Sequence, residues 1–595
     1  MRPRVTIRPA QILVTLLLPV AWLPLLIVGP ASAQPAPLSE STESMPERTT
    51  AFIPVASLPD RQRIVAENSD ASRRVCRPDA SRSIDAWEVD GWRQYQRLWE
   101  ELSQKPDSPA LRRYLGLPIG KAADQNVVIH VKRGRSAPRW MGWRAGSYLE
   151  LETPHLTIYS RADEQSSRDV AADLEQVYWI WTQVFFPLWD AQPEVATHLK
   201  PIDPTQTIES VLADSSLRLK TRQRLRIVLF RDANEYARSL GRTTPGIEQS
   251  TGMYSDERRT SFFYPSDAGD AVATRRHELA HQLFREASRS RLGDQIPGEA
   301  SGFWLIEGIA GYFESMQVAD GVASLGGWDS PRLQYARYRI LSGNDLMAFS
   351  ELSSAGRAEV QSRSDLARWY AHAIAQTHHL FDGPDLGSRR WIYEQLAELY
   401  QIDLDVPGIR RPTEPEQSLR RFLAVDDRTL IDHPARREIK ELCLAGCNLS
   451  PTAIDTIAPS SELRWLDLSR IPVDSRSVAR LCPSPDHLEQ LSLEATAVDN
   501  ALATWLEQAD NLTELDLSWT ACGDPVVDAI DDCQRLNTLW MTGSGLTDRC
   551  LPTLLMMRAI ESIDLQRTSI TADGLATARR RRPDWNLNSL QLRVE

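Results

Sequence analysis

The sequence predicts an α+β domain followed by an α/β solenoid of short repeats. Two observations carry this. Strand-like segments between residues 127 and 264 give way to mainly helical spacing over 270–400, and this mix of early strands and later helices implies an α+β domain. From Ile439 onward the chain repeats one apolar pattern six times, at spacings of 24, 25, 24, 24 and 24 residues.

Composition supplies the frame. The 595 residues are 42% hydrophobic and 25% charged, enough for several cored domains. Lys and Arg total 68 against 80 Asp and Glu, a net charge of -12. This excludes a nucleic-acid binder or a polybasic membrane binder, since both need surplus positive charge. Seven cysteines are too few for a disulfide-stapled miniature fold.

At the start, Arg2, Arg4 and Arg8 precede an apolar run over 12–28, and Ala31-Ser32-Ala33 gives a small-residue cleavage pattern. Residues 1–33 therefore read as a secretory signal peptide. The run holds Pro19 and Pro24 and is too short for a good spanning helix. The expected location is exported: periplasmic, cell-surface or extracellular. Removing three positive charges leaves -15, and no later run is long and apolar enough to span a membrane.

Residues 34–80, rich in Pro, Ser, Glu and Arg, read as a disordered linker. An N-terminal accessory region follows over 81–145. Its helical spacing runs through Trp87, Trp92, Tyr95, Leu98, Trp99 and Leu102, with a second helix over 109–115 and a strand at 127–131. The main α+β domain spans 146–400. Strands are expected over 148–159, a long helix over 166–186 stopped by Pro187, and a strong strand over 224–230. Segments 251–254 and 260–264 flank a polar turn, as in a hairpin. Pro407, Pro412 and Pro415 mark a linker over 401–437.

Residues 438–595 form the repeat domain. Three positions into each repeat stand Leu442, Leu466, Leu491, Leu515, Leu539 and Ile563; five in stand Leu444, Leu468, Leu493, Leu517, Met541 and Leu565. This is the leucine-rich repeat pattern, with a strand per repeat lining a concave side. Each unit buries its leucines by stacking on its neighbours, so 438–595 is expected to fold alone if capped. Between the core positions, Cys443, Asp467, Ser492, Asp516, Trp540 and Asp564 are expected to point outward on the concave face. The span carries 14 Lys and Arg against 24 Asp and Glu. It reads either as an acidic, partly aromatic surface for a protein partner or as a solvated face. Six of the cysteines lie here, and Cys447 and Cys522 fall at small or apolar core positions.

The chemistry concentrates in His277-Glu278-Leu279-Ala280-His281. HExxH on a helix puts two imidazoles at i and i+4, on one face, within reach of one metal ion. Glu278 is then oriented to take a proton from a metal-activated water. Glu307 lies in an apolar run over 304–314, where an unpaired carboxylate is costly. The residues leave it two roles: third metal ligand, or ion-pair partner of Arg275 or Arg276.

These motifs, His277 to His281 and Trp304-Leu305-Ile306-Glu307-Gly308-Ile309-Ala310-Gly311-Tyr312-Phe313-Glu314, resemble the gluzincin zinc peptidases, the clan of thermolysin and aminopeptidase N. The nearer likeness is to the peptidase-MA-like domains of large exported bacterial proteins. It covers roughly 146–400. The resemblance implies a zincin-like (gluzincin) fold, Zn2+ held by His277, His281 and Glu307, and Glu278 as catalytic base. It also implies a tyrosine donating to the oxyanion; Tyr370, on a helix over 365–381, matches that position, although its helical face also suits a core residue. His372, His378 and His379 on that helix fit supporting or surface roles. The hairpin over 251–264 sits where gluzincins keep the edge strand that pairs with substrate. Ile306 replaces the Asn often found before the third ligand, and the gap from His281 to Glu307 is longer than in thermolysin-like enzymes. The family's substrate preference is therefore not carried over.

The expectation is an exported zinc metallopeptidase that hydrolyses protein or peptide substrates, with a leucine-rich repeat arc for protein or substrate binding. The alternative is a non-catalytic exported leucine-rich repeat binding or adhesion protein whose zincin-like domain is degenerate or structural.

Overall fold

A computed structural model describes residues 77–78 and 89–588, except 121–126, 204, 221–223, 245, 267–268, 320–321, 384–385, 405–414 and 436–437. The expected signal peptide over 1–33, Trp87, and almost all of the expected linker over 34–80, Cys76 included, lie outside the described residues. The chain is mixed helix and sheet and divides into two compact units. One holds Met1–Gly326 and Ser353–Thr413; the other holds Gly327–Leu352 and Glu414–Glu595. Among the described residues no helix is long and apolar enough to cross a membrane.

In the first unit, β1 (Arg77–Pro78) is followed by α1 (Trp92–Gln104). Trp92, Tyr95, Leu98, Trp99 and Leu102 bury one face of α1, as their spacing requires. Strands β2 (His130–Arg133), β3 (Leu149–Glu152) and β4 (Leu156–Ser160) lead into the long helix α2 (Glu164–Val184), whose N-terminus is capped by Asp163 accepting from the amide of Ser166. Then come β5 (Leu225–Leu229) and the hairpin β6 (Gly252–Ser255) and β7 (Thr260–Phe263). These strands form one sheet in the order β2-β3-β4-β5-β7-β6, parallel at β4-β5-β7 and antiparallel elsewhere. The accessory region over 81–145 is thus not separate: β2 is a strand of the main sheet. β6 is the edge strand nearest the helices that follow.

Those helices are α3 (Gly269–Leu292), α4 (Phe303–Glu314) and, after β8 (Gln317–Ala319) and β9 (Val322–Ser324), α5 (Leu366–Asp382). α4 and α5 approach closely because α4 carries glycine at the contact. A Cβ on Gly308 would lie 2.0 Å from the hydroxyl of Thr377.

The second unit is a parallel sheet of seven three-residue strands: β10 (Glu441–Cys443), β11 (Trp465–Asp467), β12 (Gln490–Ser492), β13 (Glu514–Asp516), β14 (Thr538–Trp540), β15 (Ser562–Asp564) and β16 (Asn586–Asn588). Leu442, Leu466, Leu491, Leu515, Leu539, Ile563 and Leu587 stand in register across it. The first six are buried, as the phase of the repeats demands. The six described cysteines are buried and free of disulfides.

Two boundaries differ from expectation. The region over 401–437 is not a bare linker: Pro415–Leu423 and Asp427–Asp432 are helices of the second unit. Residues 327–352, expected in the α+β domain, also belong to that unit. Their helix Pro331–Arg337 caps the open edge of β10: Gln334 Oε1 accepts from the Cys443 amide at 3.0 Å, and Arg337 donates to the Cys443 carbonyl at 2.8 Å. An uncapped edge strand would leave both groups unpaired. Tyr338 then lies against Trp465, ring centroids 5.7 Å apart. Cys443 and Asp467 are consequently buried, not outward on an open concave face. Ser492, Asp516, Trp540 and Asp564 keep partial exposure.

Candidate metal centre

The HExxH segment lies within α3, and its spacing brings the imidazoles of His277 and His281 together, Nε2 to Nε2, at 3.1 Å. Glu307, one turn into α4, brings its two carboxylate oxygens to 3.4 Å from His277 Nε2 and 3.7 Å from His281 Nε2. One donor atom from each of the three lies within 4.8 Å of the others, and all three residues are buried.

This triangle fits a metal. Three donors about 2.0–2.1 Å from a tetrahedrally coordinated zinc stand about 3.4 Å apart, the spacing of these atoms. Neither oxygen of Glu307 accepts a hydrogen bond, although both are buried. Its neighbours are the two imidazoles, and a cation shared with them would satisfy the carboxylate and both ring nitrogens together. Arg275 and Arg276 do not serve it. Both turn to Asp173 on α2, at 4.0 and 3.0 Å.

The electrostatics reflect three buried groups crowded together. Burial disfavours a charged His277, but Glu307 and Glu314 outweigh it and push its pKa up to about 10. Burial holds His281 below its usual value. Burial would raise Glu307, yet the two histidines hold it well below the usual carboxylate range.

Glu278 points to the other side of the site. Its Oε2 accepts from the backbone amide of Tyr254, on the edge strand β6, at 2.7 Å. The hairpin expected at this place is present, but two of its outward amides are engaged: Tyr254 by Glu278 and Gly252 by the hydroxyl of Ser250 at 3.1 Å. Tyr370, on α5, is half-buried. Its phenol is held well above its usual pKa by burial, then by the nearby charges of Glu307 and Glu278. It is therefore brought beside the triangle.

The other histidines of α5 are not in the group. His372 Nδ1 lies 2.8 Å from the carbonyl of Arg368, and His378 Nδ1 faces Asp382 at 3.4 Å. Two partners of the site carry little or no signal in the sequence. Glu314 meets His277 Nδ1 at 2.8 Å; its signal was a second carboxylate on the face of Glu307, two turns along α4. The Tyr254 amide is a backbone group and left no signal.

No family model matches the chain, and no curated protein matches it. Among solved structures the chain is similar to a leucine-rich repeat protein of Leptospira interrogans, at 15% identity and a TM-score of 0.19. The match covers 25% of this chain and 48% of that one, so the chain spans about half the length of the structure it matches.

Proposed function

We propose that the chain is an exported zinc-dependent peptidase, its first unit of zincin-like (gluzincin) fold and its repeats a binding surface for a protein partner or substrate. The observation that carries this reading is the buried triangle of His277, His281 and Glu307 with Glu278 one residue beyond the first ligand. Zinc, when bound, supplies a Lewis acid that polarises a carbonyl and acidifies a water molecule. Glu278, fixed by the Tyr254 amide, takes the proton of the attacking water and returns it to the leaving amine. Tyr370 stays protonated at neutral pH and donates to the carbonyl oxygen as it gains charge. Glu314 fixes His277 through Nδ1, leaving Nε2 toward the metal.

Three buried donors favour this reading over the binding-protein alternative, since a structural zinc site closes its fourth position with Cys or His. The repeats fit a basic peptide or cationic protein along the exposed part of the strand face, Ser492 to Asp564.

The test is digestion of a peptide library by the full chain loaded with zinc, beside Glu278→Gln. Cleavage that disappears with a chelator and falls at least about a hundredfold in the variant supports the proposal. Equal cleavage by both proteins overturns the role of Glu278; zinc uptake without any cleavage overturns the peptidase reading.

A further inference from the structure

Arg357 begins the short helix Arg357–Gln361, and its backbone amide donates to the Gly298 carbonyl at 2.9 Å. The chains cross tightly here: a Cβ on Gly356 would lie 2.3 Å from the Glu299 carbonyl. The position of Arg357 is therefore fixed by backbone.

Its side chain lies over the ring of Phe303, 5.3 Å from the centroid. Phe303 is one turn before Glu307 on α4, so the guanidinium is on the face that carries the third metal donor. Phe303 stacks on Trp369 at 5.7 Å, and Trp369 meets Tyr370 at 5.4 Å. Arg357 thus closes a wall that runs from the metal donors to the phenol.

Arg357 is 8% exposed and its Nε is buried without a partner. Among the described residues no carboxylate is within ion-pair reach of its guanidinium. Arginine cannot shed its charge, and a buried cation without a counter-charge is costly. Burial indeed lowers its pKa, with Glu307 the first charge opposing that effect. When Glu307 serves a metal, its charge is shared with that metal, and Arg357 is left facing the site with donors to spare. The group that matches a guanidinium fork in such a place is a carboxylate, bound through two parallel hydrogen bonds.

We infer, resting on the peptidase reading above, that Arg357 binds a carboxylate of the substrate beside the scissile bond. Two sources share this chemistry: the C-terminus of a peptide, or an Asp or Glu side chain within it. The first makes the enzyme act near chain ends, the second makes it select acidic sequences.

The experiment uses the zinc-loaded full chain and a random peptide library made in four forms. C-termini are free or amidated, and internal Asp and Glu are kept or replaced by Asn and Gln. Products are quantified by mass spectrometry. The expected result is cleavage at least tenfold faster with one of the two carboxylates present, and which one identifies the source. Arg357→Gln removes that preference and Arg357→Lys keeps part of it, with zinc content and melting temperature unchanged. In a second readout, tryptophan fluorescence of the Glu278→Gln protein shows the carboxylate form of the best substrate binding about tenfold tighter than its neutral form. Equal cleavage of all four libraries by the unmodified chain overturns the inference and leaves the peptidase reading standing, whether or not the Arg357 variants fold. A preference that survives Arg357→Gln overturns it as well. Cleavage of no library overturns the peptidase reading and this inference with it.

Discussion

His277 Nδ1 lies 2.8 Å from Oε1 of Glu314, two turns beyond Glu307 on the same helix. One helix thus supplies both a candidate metal ligand and the group that orients another. A carboxylate on the far nitrogen fixes the tautomer and strengthens the imidazole as a ligand. Glu314→Gln is predicted to weaken zinc binding by about 10–100-fold while leaving the melting temperature of the metal-free protein nearly unchanged. Competitive titration against a zinc chelator measures this. Unchanged affinity would show that His277 is held by packing alone.

Arg337 is predicted to decide the stability of the repeats. It is 1% exposed and donates to the carbonyls of Leu423, Cys443 and Trp328 and to Gln334. Arg337→Ala leaves those buried acceptors unpaired and should destabilise the second unit by about 3–5 kcal/mol, seen as a lower calorimetric transition. For the same reason residues 438–595 alone, which lack this helix, are predicted to aggregate through the open edge of β10. Soluble, cooperatively folding 438–595 would rule out this role for the cap.

Much of this was readable in the sequence, and the exceptions have physical causes. The leucine phase announced the strands because each repeat must bury the same positions. HExxH announced that His277 and His281 meet because i and i+4 share a helix face. The cap on β10 was hidden: Gln334 and Arg337 reach Cys443 from more than one hundred positions away, without any periodicity. Since the cap covers Cys443 and Asp467, the concave column expected from the sequence is shorter than its repeats. Glu314 was visible as a residue, but its partner depended on how α4 packs against α3.

A third prediction concerns the turn after each repeat strand. Gly446, Arg470, Ala495, Trp519, Gly543 and Arg567 occupy equivalent positions, and all have positive φ, from 54° to 69°. Only two are glycine. A left-handed conformation costs a non-glycine residue roughly 1–2 kcal/mol. Ala495→Gly should therefore stabilise the second unit by about 0.5–1 kcal/mol, whereas Ala453→Gly, in a right-handed helix, should destabilise it by at least about 1 kcal/mol. Paired denaturant titrations decide it; loss of stability at both positions contradicts the strained turn.

Asp516 gives a pH prediction. Burial pushes its carboxyl up to about 6, only partly offset by hydrogen bonding to Ser518. In the unfolded chain it ionises near its ordinary value of about 4. Between these values the unfolded state loses its proton first, so this group lowers stability as pH rises from about 4 to about 6, with no further change above. Asn at this position can still accept from the Ser518 amide. Asp516→Asn should thus be more stable than the unmodified chain at pH 7 by about 1–2 kcal/mol, less than the full shift implies because the carboxylate keeps some solvent. The gain should vanish near pH 4. An equal gain at both pH values would mean that repacking, not ionisation, is responsible.

His277, His281 and Glu307 are predicted to hold one metal ion between them. The most direct measurement is zinc content, by mass spectrometry, of the purified full chain after stripping, reloading and dialysis, beside His277→Ala and Glu307→Gln. About one zinc per chain is expected for the unmodified protein and almost none for either folded variant. A folded, unmodified chain that retains no zinc, or a Glu307→Gln chain that retains it fully, contradicts ligation by these three residues.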